Sequence, residues 1–433
     1  MAGRPACKHR PVTTALLTDQ YELTMLTSAL RDGTAQRHCV FEVFARRLPQ
    51  GRRYGVVGGT ARLLEAVAQF RFDAATVDSL LTAGIVDAPT ADYLRSYRFG
   101  GAIDGYPEGE LWFPNSPILT ITGTFAEAVI LETLALSILN HDSAITAAAA
   151  RMVTAAGDRP IIEMGSRRTH EQAAIASARA AYLAGFASTS NLAAVARYGI
   201  PGAGTAAHAF VLLHDTEAQA YRAQVETLGI DTTLLVDTYD TTRGISLAIE
   251  VAGTSLGAVR IDSGELSVMA RRAREQLDRL GATGTKIVVS GDLDEYAIAA
   301  LAAAPVDVYG AGTAVVTGSG APTAGMVYKL VEVDGRPVAK RSEHKGSVGG
   351  RKTAYRAYRS SGTATDEIVV TGGSPVPADA RPLQVPLWRD GAPVADLPTL
   401  DASREHLRAA LLTLPWEGLK LSTGDPAIPT RLT

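Results

Sequence analysis

The composition of the chain excludes several classes of protein before any motif is considered. Its 433 residues include 42 Lys and Arg and 45 Asp and Glu, a net charge of −3, whereas nucleic-acid binding proteins carry a basic excess. Only seven of the cations are Lys, and none lies between Lys8 and Lys286, which excludes a Schiff-base or P-loop lysine in that stretch. The two cysteines, Cys7 and Cys39, are too few for a disulfide framework or a metal quartet, so we expect a cytoplasmic protein.

The first part of the chain mixes short helices with strand-like runs. The segment 18–22 predicts a helix start, because Asp19 and Glu22 have the spacing of a capping box. Residues 41–48 predict a strand that ends ahead of a basic turn. The segment 125–140 is the most apolar of the chain, but two glutamates interrupt it, so we expect no membrane-spanning helix.

From about residue 126 to 330, helical stretches alternate with short apolar runs that end in glycine or a charged residue. The runs end at Gly165, Asp237, Asp262, Asp292 and Gly310. Strands separated by helices are typical of parallel βα units, and five or more in series favour a barrel over an open sheet. We therefore predict an α/β protein with an irregular (β/α) TIM-like barrel, whose chemistry collects at the carboxyl ends of its strands.

Beyond the barrel the pattern turns β-like again. Three runs predict antiparallel strands and a fourth predicts a last helix: 327–333, 336–341, 353–358 and 403–414. We expect the barrel domain to span residues 126–330. A second, α+β domain is expected to combine the N-terminal residues 1–125 with the C-terminal segment 331–433, which is β-rich, then helical, and packs with the N-terminal part.

The strand end at 259–264 is the first candidate for chemistry. Side chains alternate along a strand, so Arg260 and Asp262 share one face while Val259 and Ile261 share the other. In a barrel the polar face points into the mouth, where a guanidinium binds a carboxylate or phosphate with a bidentate fork. A single motif of this kind fits a buried Arg–Asp pair equally well, but several similar strand ends favour the functional interpretation.

The segment 309–313, with sequence YGAGT, is a second candidate. Two glycines and Thr313 after a strand can expose successive backbone N–H groups to an anion. A plain tight turn has the same pattern. The position late in the βα series favours a phosphate site, because phosphate sites in barrels frequently use the last strands.

His208 is the histidine candidate. Of the eight histidines, it alone lies between a Gly/Thr turn and an apolar run in the barrel region. His214 follows six residues later and has the pattern of a loop residue. A lone histidine is more often structural than catalytic, so the assignment of His208 depends on the motifs around it.

The motifs follow one another in a fixed order from about residue 14 to 357. They are TDQYELTM at 18–25, MGSRR at 164–168, TSNL at 189–192, GTAAH at 204–208, DTY at 237–239, RIDSG at 260–264, GAGT at 310–313 and VYKL at 327–330. This ordered set resembles the motifs of the nicotinate phosphoribosyltransferase family, which belongs to the barrel-type (type II) phosphoribosyltransferases. Each motif is short, and the order makes the resemblance specific.

The resemblance implies a reaction and a set of site residues. The ring nitrogen of nicotinate attacks C1 of 5-phosphoribosyl 1-diphosphate, which gives nicotinate mononucleotide and diphosphate for NAD biosynthesis. ATP hydrolysis is coupled through a phosphohistidine, and His208 matches its position. The other implied contacts are with nicotinate at Tyr21, Thr205, Arg260 and the anion-binding Arg167, and with 5-phosphoribosyl 1-diphosphate at Asp237, Gly312 and Thr313.

The resemblance also implies cofactors and partners. Mg²⁺ and ATP act together with the two substrates, and the protein provides no fixed metal site of its own. Neither nucleic acid nor a membrane is expected as a partner. Two chains are expected to form a homodimer with shared active sites, in which the segment around Tyr21 completes the site of the partner.

Three positions depart from the family pattern. Ala209 follows His208 where the family often has Ser, SGD at 290–292 replaces an Asn-rich strand end, and Gly349 stands where Pro is common. We expect these differences to shift affinity or the strength of ATP coupling and to leave the mechanism intact.

Three other functions stay open on the sequence alone. Nicotinamide phosphoribosyltransferase shares the barrel and the phosphohistidine, and Arg260 does not decide alone, because Arg can also stack on an amide-bearing ring. A Schiff-base lyase or aldolase needs a lysine at a carboxyl strand end, whereas Lys286 begins its strand. A non-catalytic binder of pyridine nucleotide precursors is disfavoured by the presence of His208.

Two segments resemble other nucleotide-binding motifs and depart from them. Residues 346–353 resemble a P-loop but have Arg351 where the second glycine belongs. Residues 234–242 resemble the apolar-acidic-acidic motif of the open-sheet phosphoribosyltransferases, but Thr238 replaces the second acid. We therefore expect neither motif to function as such.

Overall fold

The computed structural model describes residues 13–340, 348–372, 374–375 and 378–433. Cys7, Arg341 and residues 346–347 of the P-loop-like segment lie outside these ranges. The N-terminal part combines helices with antiparallel strands. Its elements are α1 Gln20–Asp32, a 3₁₀ helix Thr34–Gln36, β1 His38–Ala45, β2 Gly55–Val56, α2 Thr60–Ala68, α3 Ala74–Thr82, α4 Ala88–Ser96, β3 Ala102–Gly105, β4 Leu111–Trp112, β5 Leu119–Thr124, α5 Phe125–Val129 and α6 Glu132–Ala156.

The start of α1 differs from the predicted capping box. Asp19 is the N-cap residue, but its side chain makes no capping hydrogen bond. The Glu22 carboxylate instead accepts hydrogen bonds from Thr18 Oγ1 at 2.5 Å and from the backbone N–H of Thr133 at 2.9 Å. Glu22 is fully buried, so its carboxylate requires partners inside the protein. The predicted helix start is confirmed, but the Asp19 half of the capping box does not form, and Glu22 connects α1 to α6.

The middle part alternates short strands with helices and forms one parallel sheet. Its elements are β6 Ile161–Glu163, α7 Glu171–Ala184, β7 Ser188–Thr189, α8 Leu192–Tyr198, α9 His208–Leu212, α10 Glu217–Leu228, β8 Thr233–Leu235, α11 Thr241–Ala252, β9 Ala258–Ile261, α12 Leu266–Arg279, β10 Lys286–Ser290, α13 Glu295–Ala300, β11 Val308–Ala311 and α14 Thr313–Val316. The six strands pair in the order β7-β6-β11-β10-β9-β8. The predicted α/β class and its parallel βα series are confirmed.

This parallel sheet is a half barrel. Within the part of the chain that the structure describes, β7 and β8 lie at the two edges of the sheet, and closure into a full barrel is not seen. A closed barrel with a side-chain-filled interior has about eight strands, and six short strands leave one side to be covered by other elements. Helix α6 and the C-terminal residues Leu407 and Ala410 belong to the same hydrophobic core as the sheet.

The C-terminal part is β-rich and then helical, as predicted. Its elements are β12 Met326–Val333, β13 Arg336–Pro337, β14 Lys352–Tyr358, β15 Ala364–Thr371, β16 Arg381–Pro382, β17 Val385–Arg389, β18 Ala392–Pro393, α15 Leu400–Leu412, a 3₁₀ helix Trp416–Leu419 and β19 Thr430–Leu432. The strand predicted at 336–341 is shorter than expected and forms only β13 within the described residues.

Strands from both ends of the chain build a seven-stranded antiparallel sheet. Its order is β13-β12-β1-β5-β3-β17-β18, and Val43 of β1 pairs with Tyr328 of β12 and with Leu119 of β5. A four-stranded sheet, β16-β14-β15-β19, adds further C-terminal strands. The boundary predicted at residue 330 falls inside β12, and the domain boundaries stay predictions.

Helix α6 connects the two hydrophobic cores of the molecule. The continuous helical stretch Phe125–Ala156 has the length and composition of a membrane-spanning helix, with a mean hydropathy of 1.2, but 67% of its most apolar window is buried inside the protein. Leu134 of α6 packs in the core of the seven-stranded sheet, and Ile145 and Met152 pack in the half-barrel core. The stretch is therefore a core helix.

Candidate active site

The carboxyl ends of neighbouring parallel strands bring several predicted site residues together. Strand β9 pairs with β8 on one side and with β10 on the other. Arg260 lies in β9 and Ser290 ends β10, while Asp237 follows β8. Because parallel strands end at the same edge of a sheet, these side chains meet at one site.

Three hydrogen bonds hold the guanidinium of Arg260. Nε donates to Ser290 Oγ at 2.8 Å, one terminal nitrogen donates to Thr205 Oγ1 at 2.9 Å, and the other donates to Asp262 Oδ1 at 3.0 Å. The side chain is 14% exposed. Arginine has five N–H donors, so these three bonds leave about two donors for a ligand.

Asp262 is held in its ionised form by the same cluster. Burial alone would raise the pKa of its carboxyl, but hydrogen bonds from Ser290 and Arg260 and the positive charge of Arg260 lower that pKa below its ordinary value. The Ser290 hydroxyl donates to Asp262 Oδ1. A fixed negative charge therefore stays beside the guanidinium, which restricts its orientation.

His208 begins α9 and faces two residues of the loop after β8. Its Nδ1 lies 3.1 Å from Thr238 Oγ1, and its Nε2 lies 4.0 Å from Asp237 Oδ1. The imidazole is 41% exposed, whereas the Asp237 side chain is 1% exposed. The ring is therefore open to solvent on one side and lies beside a buried carboxylate on the other.

Asp237 uses only one of its two carboxylate oxygens within the described structure. Oδ2 accepts hydrogen bonds from the backbone N–H of Asp262 at 2.8 Å and from Ser263 Oγ at 2.7 Å. Oδ1 is buried and has no hydrogen-bond partner among the described residues. Buried polar atoms are nearly always hydrogen-bonded, so this oxygen is available to His208 or to a ligand.

The predicted phosphate turn at Gly312 and Thr313 packs against the turn after β6. A Cβ atom at Gly165 would lie 3.1 Å from the Gly312 carbonyl oxygen and 2.1 Å from Val316 Cγ1, so only glycine permits this approach. Strand β11 pairs with β10 at Gly310 and Ser290. The glycine-rich turn therefore lies at the same edge of the sheet as Arg260.

Arg167 lies in the exposed turn that follows β6. The turn is closed by a hydrogen bond from the Arg168 backbone N–H to the Gly165 carbonyl at 2.8 Å. Arg167 is exposed, and its guanidinium makes no hydrogen bond or ion pair with the residues that the structure describes. It is therefore free to approach an anion at the strand ends.

Tyr21 is not brought together with Arg260 in the single chain. It lies on α1, is 46% exposed, and contacts Glu132 at the start of α6. Burial, followed by the negative charge of Glu132, raises the pKa of the Tyr21 hydroxyl to about 12. The phenol therefore stays protonated at neutral pH. It faces solvent from α1, which packs on the core of the seven-stranded sheet and not on the half-barrel core.

Sequence reasoning missed a buried carboxylate at the end of β6. Glu163 is 1% exposed and accepts hydrogen bonds from Thr189 Oγ1 and from the backbone N–H of Gly165, each at 2.5 Å. Burial raises the pKa of this carboxyl, and the two hydrogen bonds oppose that shift. An acidic residue inside an apolar run was the available signal. Glu163 joins the ends of β6 and β7 below the Arg167 turn.

The fold and the site together have the features of an enzyme whose active site suits anionic ligands. A fixed guanidinium, buried carboxylates and a glycine-rich turn meet at the carboxyl edge of a parallel α/β sheet. Family models agree: the nicotinate phosphoribosyltransferase N-terminal domain matches residues 16–140, and the nicotinate phosphoribosyltransferase family matches residues 160–361.

Individual relatives cover nearly the whole chain. Nicotinate phosphoribosyltransferase pncB1 of Mycobacterium tuberculosis is 64% identical over 426 residues, which is 96% of this chain and 94% of that protein. The crystal structure of human nicotinic acid phosphoribosyltransferase matches with a TM-score of 0.82 at 26% identity, over 96% of this chain and 97% of that one. The crystal structure of nicotinate-nucleotide pyrophosphorylase from Pyrococcus furiosus matches with a TM-score of 0.77 at 26% identity, over 94% of this chain and 98% of that one.

The chain belongs to the nicotinate phosphoribosyltransferase family. The resemblance predicted from the ordered motifs is confirmed by these matches. The activity that follows is nicotinate phosphoribosyltransferase activity in NAD biosynthesis.

Proposed function

We propose that the site at the carboxyl edge of the half barrel performs this activity with His208 as the phosphorylated residue. Nicotinate and 5-phosphoribosyl 1-diphosphate are the substrates, and nicotinate mononucleotide and diphosphate are the products. The observation that carries the proposal is the position of Arg260, which keeps about two N–H donors for a ligand next to the Asp237–His208 pair.

Arg260 binds the carboxylate of nicotinate. A guanidinium binds a carboxylate with two parallel hydrogen bonds, and such charge-assisted pairs are about twice as strong as neutral ones. The amide of nicotinamide has only one acceptor oxygen and no negative charge. This difference supports nicotinate over nicotinamide as the substrate. Thr205, which already contacts Arg260 at 2.9 Å, lies where it borders the bound ring.

The leaving diphosphate is stabilised by positive charge and by backbone N–H groups. Bond cleavage at C1 gives an oxocarbenium-like transition state and a highly charged leaving group, so groups aimed at that charge accelerate the reaction. The turn at Gly312 and Thr313 supplies backbone N–H groups, and Arg167 supplies an unpaired guanidinium. No lysine base is required, because the attacking pyridine nitrogen carries no proton.

The donor atoms of the site fit Mg²⁺. This ion is typically bound by one or two carboxylates together with substrate phosphates, and Asp237 Oδ1 is a buried oxygen without a partner among the described residues. When bound, Mg²⁺ neutralises charge on the diphosphate. Among the described residues, no group of three or more His, Cys, Asp or Glu is arranged to hold a metal ion, so Asp237 would hold Mg²⁺ together with the substrate phosphates.

ATP coupling proceeds through His208. Asp237 Oδ1 lies 4.0 Å from Nε2 of the imidazole, and a hydrogen bond between them, formed as the ring shifts on ATP binding, keeps the proton on Nε2 and leaves the lone pair on Nδ1 to attack phosphorus. The Thr238 hydroxyl, 3.1 Å from Nδ1, donates to this lone pair in the absence of ATP and turns aside before Nδ1 attacks. The phosphohistidine adds roughly −1.5 to −2 of charge if it resembles other phosphorylated side chains, and this charge would attract Mg²⁺ to the site of the diphosphate.

Two copies of the chain form a homodimer in which Tyr21 completes the partner's site. Tyr21 and its neighbours Leu16 and Leu17 are exposed, as are Leu212 and Leu213 at the end of the helix that His208 begins. Exposed apolar residues grouped at two such places are typical of a subunit interface. A cytoplasmic location stays a prediction.

Product analysis tests the proposal directly. Purified protein is incubated with nicotinate or nicotinamide, 5-phosphoribosyl 1-diphosphate and Mg²⁺, with and without ATP, and the mononucleotide products are separated. We expect nicotinate mononucleotide as the main product and more of it with ATP. Faster turnover of nicotinamide than of nicotinate would contradict the substrate assignment.

The His208 assignment has its own test. His208→Ala should abolish acid-labile ³²P incorporation from γ-labelled ATP and the stimulation by ATP, with the fold intact by circular dichroism. His214→Ala is the matched control, because His214 lies beyond the same helix and its Nδ1 contacts a backbone carbonyl, that of Phe210, at 2.8 Å. Equal labelling of the His208 variant and the wild type would exclude the phosphohistidine role.

A further inference from the structure

Ser290 is a buried hydroxyl between the two charged groups of the strand-end cluster. It is the last residue of β10 and is 2% exposed. Its Oγ accepts the Nε–H of Arg260 at 2.8 Å and donates to Asp262 Oδ1. A hydroxyl has one donor and two acceptor sites, so a single oxygen fixes the relative position of Arg260 and Asp262.

The hydroxyl of Ser290 determines which guanidinium nitrogens are free. The Ser290 hydroxyl accepts the Nε–H of Arg260. The two terminal nitrogens of Arg260 then donate one hydrogen bond each, one to Thr205 and one to Asp262. One N–H on each terminal nitrogen remains, and a planar carboxylate can bind a guanidinium through one N–H of each terminal nitrogen. A guanidinium held on three sides loses little further freedom when a ligand binds.

The strand ends pack closely at Ser290. Gly310 lies beside it on β11, and a Cβ atom at Gly310 would come within 3.0 Å of Ser290 Cβ. Gly291, the next residue, has a φ of 114°, in the region that favours glycine. Glycines at positions 291 and 310 therefore let the two strand ends approach and hold Ser290 beside the guanidinium of Arg260.

We propose that Ser290 is a positioning residue that sets the preference for a pyridine carboxylate over a pyridine amide. Without the hydroxyl, the Nε–H and the neighbouring terminal N–H of Arg260 both face Asp262, and the two side chains form a side-on ion pair. The guanidinium then turns its bidentate edge away from the ligand. The inference rests on the proposed role of Arg260. The experiment is chosen so that a failure of the inference about Ser290 can be distinguished from a failure of the role of Arg260.

The test compares Ser290→Ala with the wild type. We expect the KM for nicotinate to rise about tenfold, which corresponds to the loss of one hydrogen bond to a charged group, while kcat changes by less than about twofold. The KM for 5-phosphoribosyl 1-diphosphate and the inhibition constant of nicotinamide should stay within about twofold of the wild type. Selectivity for the acid over the amide therefore falls, which a general loss of structure would not produce.

Two further variants keep the test decisive. Ser143→Ala is the matched control, because Ser143 is also buried and its Oγ accepts one hydrogen bond, from the Gly58 backbone, at 3.1 Å. It should lower the melting temperature without changing the KM for nicotinate. If Ser290→Ala does not fold, Ser290→Cys keeps a weak hydrogen-bonding atom of small size and should give an intermediate KM.

The double variant shows whether Ser290 acts through Arg260. If Ser290→Ala has no further effect on the KM for nicotinate in an Arg260→Ala background, the two residues act as one unit. An unchanged KM in Ser290→Ala together with a raised KM in Arg260→Ala would overturn the inference and leave the proposed function intact. An unchanged KM in both variants would instead refute the Arg260 assignment.

Discussion

The buried Oδ1 of Asp237 lies 4.0 Å from Nε2 of His208 and has no hydrogen-bond partner among the described residues. The other oxygen of the same carboxylate accepts two hydrogen bonds, from the Asp262 backbone and from Ser263. Asp237 is thereby held in one orientation, and its free oxygen points at the imidazole. Once it hydrogen-bonds to the imidazole, a carboxylate held in this way selects the tautomer of the histidine.

Asp237→Asn is therefore expected to impair phosphorylation of His208. The amide can keep the hydrogen bonds to Asp262 and Ser263 with its oxygen, but its NH₂ group then faces Nε2 and favours the wrong tautomer. We expect the rate of ³²P incorporation to fall by about 10²-fold or more. Asp240→Asn is the control, since Asp240 in the same loop caps α11 through the Arg243 backbone N–H, and it should label at the wild-type rate.

Local patterns predicted the strand-end residues well. The period of two along a strand requires Arg260 and Asp262 to share a face, and the structure joins them at 3.0 Å. Ser290 was recognised only as a departure from the family pattern, because a small polar residue at a strand end has no signal of its own. Thr238 was noted only as a missing acid, although it contacts His208.

Contacts between distant parts of the chain could not be predicted. Glu22 bonds to Thr133, and Glu110 pairs with Arg356, but no local period connects such positions. The extent of the parallel sheet could not be predicted from the sequence either. Strand β7 has only two residues, and a run that short has no recognisable alternation of apolar and polar residues. The barrel pattern therefore predicted the strands but not where the sheet would end.

Arg260 is expected to control the affinity for nicotinate. Arg260→Ala removes two charge-assisted hydrogen bonds to the carboxylate, so we expect the KM for nicotinate to rise about 100-fold. Arg260→Lys keeps the positive charge but loses the bidentate geometry of the guanidinium. Its KM for nicotinate should therefore lie between those of the wild type and the alanine variant. Steady-state kinetics with saturating 5-phosphoribosyl 1-diphosphate measure this effect. An unchanged KM in the alanine variant would remove Arg260 from the carboxylate site.

Tyr21 is expected to act across the dimer interface. Within one chain it lies beside Glu132 and apart from the contacts of Arg260, so we expect Tyr21→Ala and His208→Ala to be defective at different parts of one shared site. Mixing the two inactive variants should restore up to about one quarter of the ATP-coupled activity, because about half of the dimers are mixed and each has one intact site of two. Absence of any recovery in verified mixed dimers would show that Tyr21 acts in its own chain, and a fully active Tyr21→Ala variant would show that Tyr21 has no role.

Glu110 is expected to give the protein an acid-sensitive component of stability. Glu110 is fully buried and contacts Arg356 at 2.6 Å, Arg381 at 2.8 Å and His406 at 3.0 Å. Burial alone would raise the pKa of this carboxyl, but its hydrogen bond with His406 and the positive charges of Arg356 and Arg381 lower the pKa from 4.5 to about 2. A lowered pKa in the folded state means that protonation favours unfolding, so the stabilisation is present above pH 4.5 and is lost as the pH falls towards 2.

Glu110→Gln should therefore lower the free energy of unfolding at pH 7 by about 3 kcal/mol. The difference from the wild type should narrow as the pH falls from 4.5 towards 2, because the wild-type carboxyl is then protonated too. Urea unfolding followed by circular dichroism across this range measures both effects. Glu65→Gln is the control, since Glu65 and Arg197 form an exposed pair, and exposed pairs contribute at most about 1 kcal/mol. A difference for Glu110→Gln that stays constant with pH would show that lost packing, and not the carboxylate charge, causes the destabilisation.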